Sequence, residues 1–201
     1  WQSCSDSVRP YATDTKYKLE NWRDVYELTS QQALSYGFNT LDLRELPETK
    51  GWTTRAADLV HKFIAKGGYR LYPKEVTLPV EAQVGSTLLI EHVWKNLATG
   101  YLPNNVKNWD YKYKPAFALL NEKHEVVKLF VDLHAEPSAW LRDSEHAYSF
   151  PVSLEGVPAG IYTWAVSIID RSKGNRPGIA LALEESAWEG WYPLTRLQII
   201  E

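Results

Sequence analysis

The period of the hydrophobic pattern changes once along the chain, at Gly68. Before this residue, apolar side chains recur at helical spacing; after it they recur at every second position, and no helical stripe returns. Period-two runs separated by turn residues are typical of β-strands. Seven or eight such strands at this spacing indicate a mainly β fold, an Ig-like antiparallel β-sandwich. We predict the strands at residues 69–78, 86–96, 113–121, 125–133, 146–154, 160–170, 178–184 and 194–200.

The same alternation predicts which side chains point into the sandwich, because successive residues of a strand lie on opposite faces. One face of a central strand is expected to contain Tyr162, Trp164, Val166 and Ile168. We place its neighbour in the sheet at 146–154. The corresponding face of that neighbour is expected to contain His146, Tyr148, Phe150, Val152 and Leu154.

The part of the chain before Gly68 has helical signals. Residues 21–36 predict a helix, with Asn21 as the N-cap and Gly37 just after the C-terminus. The run "FNTLDLREL" predicts a short strand, and a second helix is expected from about Thr53 to Lys66. A strand between two helices normally belongs to a parallel sheet, and we find no neighbouring strands for it.

The two periods therefore predict two domains. Residues 1–67 are expected to form a helix-strand-helix segment that resembles the end of an α/β barrel, and residues 68–201 the β-sandwich. The chain contains no methionine, which suggests a piece of a longer product.

Composition excludes several classes of function. A net charge of −3 with a pI near 6.0 counts against a nucleic-acid partner, and no apolar run is long enough to span a membrane. Cys4 is the only cysteine, so no internal disulfide or cysteine zinc site is expected. The five histidines lack metal-ligand spacing, and neither a nucleophilic-serine motif nor a phosphate loop occurs. We predict no cofactor and no metal.

Aromatic residues are unusually abundant, with nine Trp and twelve Tyr. They either fill the core or form a surface that stacks on sugar rings. In "NWDYKYKPAF", alternation places Trp109, Tyr111 and Tyr113 on one face of a strand, with Tyr113 in the core. Trp109 and Tyr111, nearer the loop, are candidates for carbohydrate binding.

Three loop tryptophans are further candidates for carbohydrate binding. Trp140 lies in "EPSAWLRD", and Trp188 and Trp191 flank a glycine in "SAWEGWYP". An indole at a strand end offers a flat apolar face and an N–H for a sugar hydroxyl. The alternative is that these rings close the ends of the sandwich or seal an interface with a barrel domain.

Two carboxylates are candidates for catalysis. Glycosidases use a pair of carboxyl groups at strand ends, and Asp42 and Glu45 lie near the end of the barrel-like strand. The alternative for Asp42 is a structural ion pair with Arg44.

Several motifs resemble one protein family. "PAGIYTW" and "GWYPLTRLQI" resemble the last strands of the C-terminal β-sandwich of bacterial glycoside-hydrolase-like proteins, and "ALSYGFNTLDLRELP" with "FIAKGGYRLYPKEVTLP" resembles the passage from the barrel into that sandwich. The chain thus resembles a bacterial domain family of unknown function over about 8–200. The resemblance implies a carbohydrate context, an upstream α/β barrel domain and an extracellular or periplasmic location.

We therefore predict a non-catalytic accessory domain of a secreted glycoside-hydrolase-like protein, with a polysaccharide or oligosaccharide as its partner. One alternative is part of a glycosidase catalytic unit that uses Asp42 or Glu45. Another is a purely structural sandwich that buttresses a barrel or mediates dimerisation.

Overall fold

The protein is described by a computed structural model that covers Leu19, residues 21–42 and residues 46–201. The chain divides into two compact units. The first runs to Tyr69 and also includes Leu97–Tyr101; the second contains Arg70–Asn96 and Leu102–Glu201.

The first unit contains three helices, α1 (Trp22–Ser35), α2 (Leu46–Arg55) and α3 (Ala57–Lys66). The predicted N-cap of α1 is confirmed. Asn21 Oδ1 accepts a hydrogen bond from Asp24 N at 3.1 Å, and the Asp24 carboxylate accepts one from Asn21 N at 3.2 Å.

The predicted strand between the helices is not found where the structure describes the chain. Residues 38–42 are irregular, residues 43–45 lie outside the described part, and a helix begins at Leu46. The predicted second helix is divided at Ala56, which separates α2 from α3. These helices pack through an apolar cluster of Tyr26, Trp52, Ala56 and Leu59.

The segment Leu97–Tyr101, which is later in the chain, also belongs to this unit. Thr99 donates its backbone N–H and its hydroxyl to Lys66 O, at 2.9 and 3.1 Å. Gly100 N donates to Gly68 O at 2.7 Å, and a side chain at Gly100 would collide with that backbone. Asn39 Nδ2 donates to Tyr101 O at 2.9 Å.

The second unit is the predicted β-sandwich. Its strands, in chain order, are β1 (Leu71–Thr77), β2 (Glu81–Gln83), β3 (Thr87–Asn96), β4 (Tyr113–Leu120), β5 (Val126–Val131), β6 (His146–Ser153), β7 (Gly160–Asp170), β8 (Arg176–Ile179) and β9 (Tyr192–Ile200). The mainly β fold is therefore confirmed. The strand expected at 178–184 lies earlier in the chain, at Arg176–Ile179, and β2 was not predicted.

The strands form two sheets. One has the order β1-β3-β6; the other has the order β2-β9-β7-β4-β5, with β8 also paired to β7. All neighbours are antiparallel except β2 and β9, which are parallel. β6 and β7 were predicted to be neighbours in one sheet, which is wrong, because they belong to different sheets.

The core lies between the sheets, and the predicted inner face of β7 is buried. The outer face of β7 is buried too, because Ala165 and Ile169 pack with Trp191. Trp191 and Trp188 face each other in a tight hairpin and exchange two backbone hydrogen bonds, at 2.8 and 3.0 Å. Its two turn residues both have positive φ, as in a type I′ turn: 51° at Glu189 and 88° at Gly190.

Candidate functional site

Trp109 and Tyr111 lie in a turn rather than in a strand. Residues 104–111 form consecutive turns, in which Tyr111 N donates to Asn104 O at 2.9 Å. β4 begins only at Tyr113, so the predicted alternation of three aromatic residues along one strand is wrong. We call residues 104–112 the aromatic turn.

Two residues of the aromatic turn have a left-handed backbone although neither is glycine. The φ angle is 46° at Asp110 and 55° at Tyr111. In this region the Cβ of an L-residue is crowded, at a cost of about 1–2 kcal/mol per residue. Such a conformation persists only where its surroundings enforce it, and it occurs often at binding sites.

Asn104 fixes the aromatic turn to the start of β4. This residue is fully buried. Its Oδ1 accepts from Tyr113 N at 2.9 Å, and its Nδ2 donates to Tyr113 O and to Glu136 Oε1, both at 2.9 Å. These hydrogen bonds close the turn at its base, and they offset the strain of the left-handed residues.

A lysine packs against the aromatic rings of the turn. The rings of Trp109 and Tyr113 meet edge to face at 5.4 Å, and Lys112 Nζ lies 5.3 and 4.8 Å from their centroids. Both distances are within the range of a cation–π interaction. The result is a rigid group of two rings and one ammonium, with Tyr111 beside it and 46% exposed.

Asp170 anchors that ammonium from the end of β7. Its Oδ2 lies 3.4 Å from Lys112 Nζ, and its Oδ1 accepts from the backbone and the hydroxyl of Ser172. Burial works against the charge of Asp170, but the Ser172 hydrogen bonds and Lys112 lower its pKa below the ordinary value. Partial burial likewise works against the charge of Lys112, but Tyr113 and Asp170 together raise its pKa.

Two of the three predicted loop tryptophans are buried. Trp140 has no exposed surface, stacks on Trp94 at 4.7 Å and donates its indole N–H to Tyr148 Oη at 2.9 Å. Trp191 is 5% exposed and covers the outer face of β7. Neither ring offers a face to a ligand.

The third loop tryptophan, Trp188, is half-buried. The His124 ring lies parallel to it at 3.6 Å, with an angle of 8° between the planes. One face of the indole is therefore covered by a side chain of the same chain. Trp188 is not part of the aromatic turn, so the five predicted sugar-binding residues do not form one surface.

The predicted catalytic carboxylates do not form a described pair. Asp42 is exposed in an irregular segment, and Glu45 and the suggested partner Arg44 lie outside the described residues.

A second polar group lies deep in the sandwich. Trp94 donates its indole N–H to His92 Nδ1 at 2.7 Å, so the imidazole proton is on Nε2. This Nε2 atom lies 3.2 Å from Asp132 Oδ2, but the two atoms are not aligned for a hydrogen bond. Burial opposes ionisation of Asp132, but the contact with His92 and the backbone N–H of His134 lower its pKa. His92 and Asp132 are both buried, so this pair is part of the core.

Other kinds of site find little support. Over residues 46–201 and the shorter described stretches before them, no three His, Cys, Asp or Glu residues are grouped as metal ligands. Cys4 lies outside those stretches. No described helix is long and apolar enough to cross a membrane. A groove of 490 Å³ between β1 and the start of β9 is lined by residues such as Val76 and Leu194, and no aromatic ring lines it.

Sequence reasoning missed the residues that support the aromatic turn. Lys112 looked like a solvated position of a strand, and nothing in the sequence links Asn104 or Asp170 to it. The Asn pair in "YLPNN" was the available signal, since buried asparagines often close turns.

Comparison with known proteins assigns no family. No protein family and no curated protein sequence matches the chain. Among solved structures, the chain is similar to the CARDB domain of a Pyrococcus furiosus protein in complex with di-metal ions, at 12% identity and a TM-score of 0.37, over 65% of this chain and 93% of that one. It is also similar to a β-glucosidase from Listeria innocua in complex with glucose, at 15% identity and a TM-score of 0.35, over 65% of this chain and 16% of that one. These likenesses carry no functional argument, and the resemblance found in the sequence stays a prediction.

Proposed function

We propose that this chain is a non-catalytic accessory β-sandwich that binds a polysaccharide or oligosaccharide through Trp109 and Tyr111. The observation that carries the proposal is the left-handed backbone of the aromatic turn. Asp110 and Tyr111 are held at φ 46° and 55°, where glycine would be favoured, and the turn leaves the Tyr111 ring 46% exposed. A strained backbone that displays an aromatic ring is typical of a binding site.

The chemistry of the turn suits a sugar. The flat apolar face of an aromatic ring packs against the C–H groups of a pyranose, while polar groups at its edge bind the hydroxyls. At this turn the edge groups are the Tyr111 hydroxyl and the exposed Asp110 carboxylate. Lys112 and Tyr113 fix the Trp109 ring from one side, so little side-chain entropy is lost on binding.

The test is affinity electrophoresis of the whole chain in gels that contain neutral or acidic polysaccharides. We expect retardation by at least one of them, and we expect it to be lost in Trp109→Ala and Tyr111→Ala. Tyr36→Ala is the matched control, because Tyr36 is 74% exposed and belongs to the other unit. If the folded wild-type chain migrates freely in every gel, the proposal is wrong.

A structural role for the turn is the competing explanation. In that case Trp109→Ala and Tyr111→Ala would lower thermal stability, and any retardation would decrease only in proportion to the unfolded fraction. Circular dichroism melting curves of the same samples separate the two explanations.

A further inference from the structure

Four exposed cationic residues lie in the aromatic turn or in chain segments at the same end of the sheet. Lys107 belongs to the turn itself, Arg171 and Lys173 follow the end of β7, and Arg176 begins β8; all four are exposed. Backbone pairing places them at one end of the six-stranded sheet. Tyr113 pairs with Asp170, Asp170 pairs with Arg176, and Arg171 N donates to Lys112 O at 2.9 Å.

Among the described residues, these four cations have no side-chain partner. None of their side chains makes an ion pair or hydrogen bond with a residue in 21–42 or 46–201. Two lysines in another part of the sandwich, Lys74 and Lys95, are instead paired with Glu145. The protein has a net charge of −3. A group of exposed, unpaired cations at one end therefore makes the local charge positive there.

The acidic groups that the structure describes at this end do not cancel the positive charge. Asp170 is neutralised by Lys112, at 3.4 Å, and Glu136 by Lys114, at 3.0 Å. Asp110 is exposed in the turn, and Glu189 lies in the hairpin next to Pro177, which a side chain at Gly190 would touch. The unpaired cations listed above outnumber these two acids.

We infer that the ligand of this end is an acidic polysaccharide, one whose sugar units carry carboxylate groups. The inference rests on the proposed function, since Trp109 and Tyr111 supply the stacking faces and the cations supply the charge. Each exposed ion pair is weak, but a polymer presents several carboxylates at once. Lys107, Arg171, Lys173 and Arg176 are then specificity-determining residues, and they select acidic over neutral glycans.

The decisive experiment uses a matched pair of ligands. Polygalacturonate and its fully methyl-esterified form have the same backbone, and only the first is charged. We expect the whole chain to bind polygalacturonate about tenfold more tightly. Raising the ionic strength from about 0.1 M to about 1 M shortens the Debye length from about 10 Å to about 3 Å, so it should remove most of that difference.

Two double variants test whether the cations beside the aromatic turn are the ones that bind the acidic ligand. Lys173→Gln with Arg176→Gln removes cations beside the aromatic turn. Lys123→Gln with Arg196→Gln removes one Lys and one Arg from the far end of the same sheet, because Arg196 is level with Thr163 and Leu120, and Lys123 follows Leu120. At about threefold per exposed ion pair, the first variant should weaken binding to polygalacturonate about tenfold and the second should not.

Each outcome decides between the two proposals. Equal binding of both ligand forms, unaffected by salt, overturns the acidic ligand and leaves the sugar-binding proposal intact. No binding to any glycan, neutral or acidic, overturns both. Equal losses in the two double variants place the charge elsewhere and overturn the inference. Binding of a single-stranded oligonucleotide as tight as that of polygalacturonate also overturns it, because the site would then accept any polyanion.

Discussion

Replacing Tyr111 by glycine distinguishes a role of its ring in ligand binding from a role in the stability of the fold. The substitution removes the exposed ring and also the reason for strain, because glycine adopts φ near 55° without crowding. If the ring is present to bind a ligand, the protein should lose binding and keep its stability. If the ring is structural, the stability should decrease.

The expected change in the free energy of unfolding follows from three effects. Relief of the left-handed strain contributes about 1–2 kcal/mol in favour of the variant. Since the ring is 46% exposed, about half of the typical 1.5–3 kcal/mol for burying a large apolar side chain is lost. The greater freedom of glycine in the unfolded chain costs about 0.5–1 kcal/mol. These effects nearly cancel, so the variant should stay within about 1 kcal/mol of the wild type.

The assay pairs urea unfolding with affinity electrophoresis on the same preparation. Trp191→Ala is the comparison for stability, because truncation of a 5% exposed tryptophan should cost about 3–5 kcal/mol. Tyr111→Phe is the comparison for binding, because it keeps the ring. We expect Tyr111→Gly to bind at least about tenfold more weakly, as for an interface hot spot. We expect Tyr111→Phe to bind more tightly than Tyr111→Gly but more weakly than the wild type, because it keeps the ring and lacks the hydroxyl.

A loss of stability larger than about 2 kcal/mol in Tyr111→Gly would refute the reasoning, because relief of the left-handed strain would then not offset the loss of the ring. Unchanged binding in a stable Tyr111→Gly variant would refute the proposal that the Tyr111 ring binds the ligand.

Three further predictions concern the sandwich. Gly190→Ala should cost about 2 kcal/mol or more in urea unfolding, because φ is 88° and its Cβ would lie 2.5 Å from Pro177 Cβ; wild-type stability would contradict this packing of the hairpin. Asn104→Ala should cost about 1–3 kcal/mol, since the part-buried backbone N–H and C=O of Tyr113 lose their partner, and an unchanged melting temperature would show that water replaces the amide. The melting temperature should decrease as the pH falls below about 4, because carboxyls whose pKa is lowered in the folded state bind fewer protons there than in the unfolded chain; a flat profile would contradict the lowered values at Asp132, Glu136 and Asp170.

The sandwich was predictable from sequence because its long strands β3, β4, β6 and β7 bury residues on at least one face, and burial of one face imposes a period of two. Tyr162 and Trp164 in β7 are buried as the alternation required. The partners of each strand were not predictable in the same way. β6 and β7 are consecutive in sequence but lie in different sheets, and local periodicity contains no information on which sheet a strand joins.

The candidate site was only partly predictable, for a conformational reason. Alternation in "NWDYKYKPAF" indicated a strand, and neither Asp110 nor Tyr111 is the glycine that would mark a left-handed turn. The burial of Trp140 depends on Trp94 and Tyr148, which are distant in sequence or belong to other strands. Exposure of an aromatic residue depends on tertiary packing. The sequence therefore identified aromatic residues but not which of their rings are exposed to a ligand.

The contribution of Leu97–Tyr101 to the helical unit has a consequence for how such a protein can be recombined. The chain enters the sandwich after Tyr69, leaves it after Asn96 and returns at Leu102. A gene fragment that begins at residue 68 would encode Thr99 without Lys66, whose carbonyl oxygen accepts both of its hydrogen bonds. A single domain boundary at residue 68 therefore does not yield a complete sandwich domain for transfer to another protein. Its transfer to another host protein requires a shorter β3–β4 connection or the helices as well.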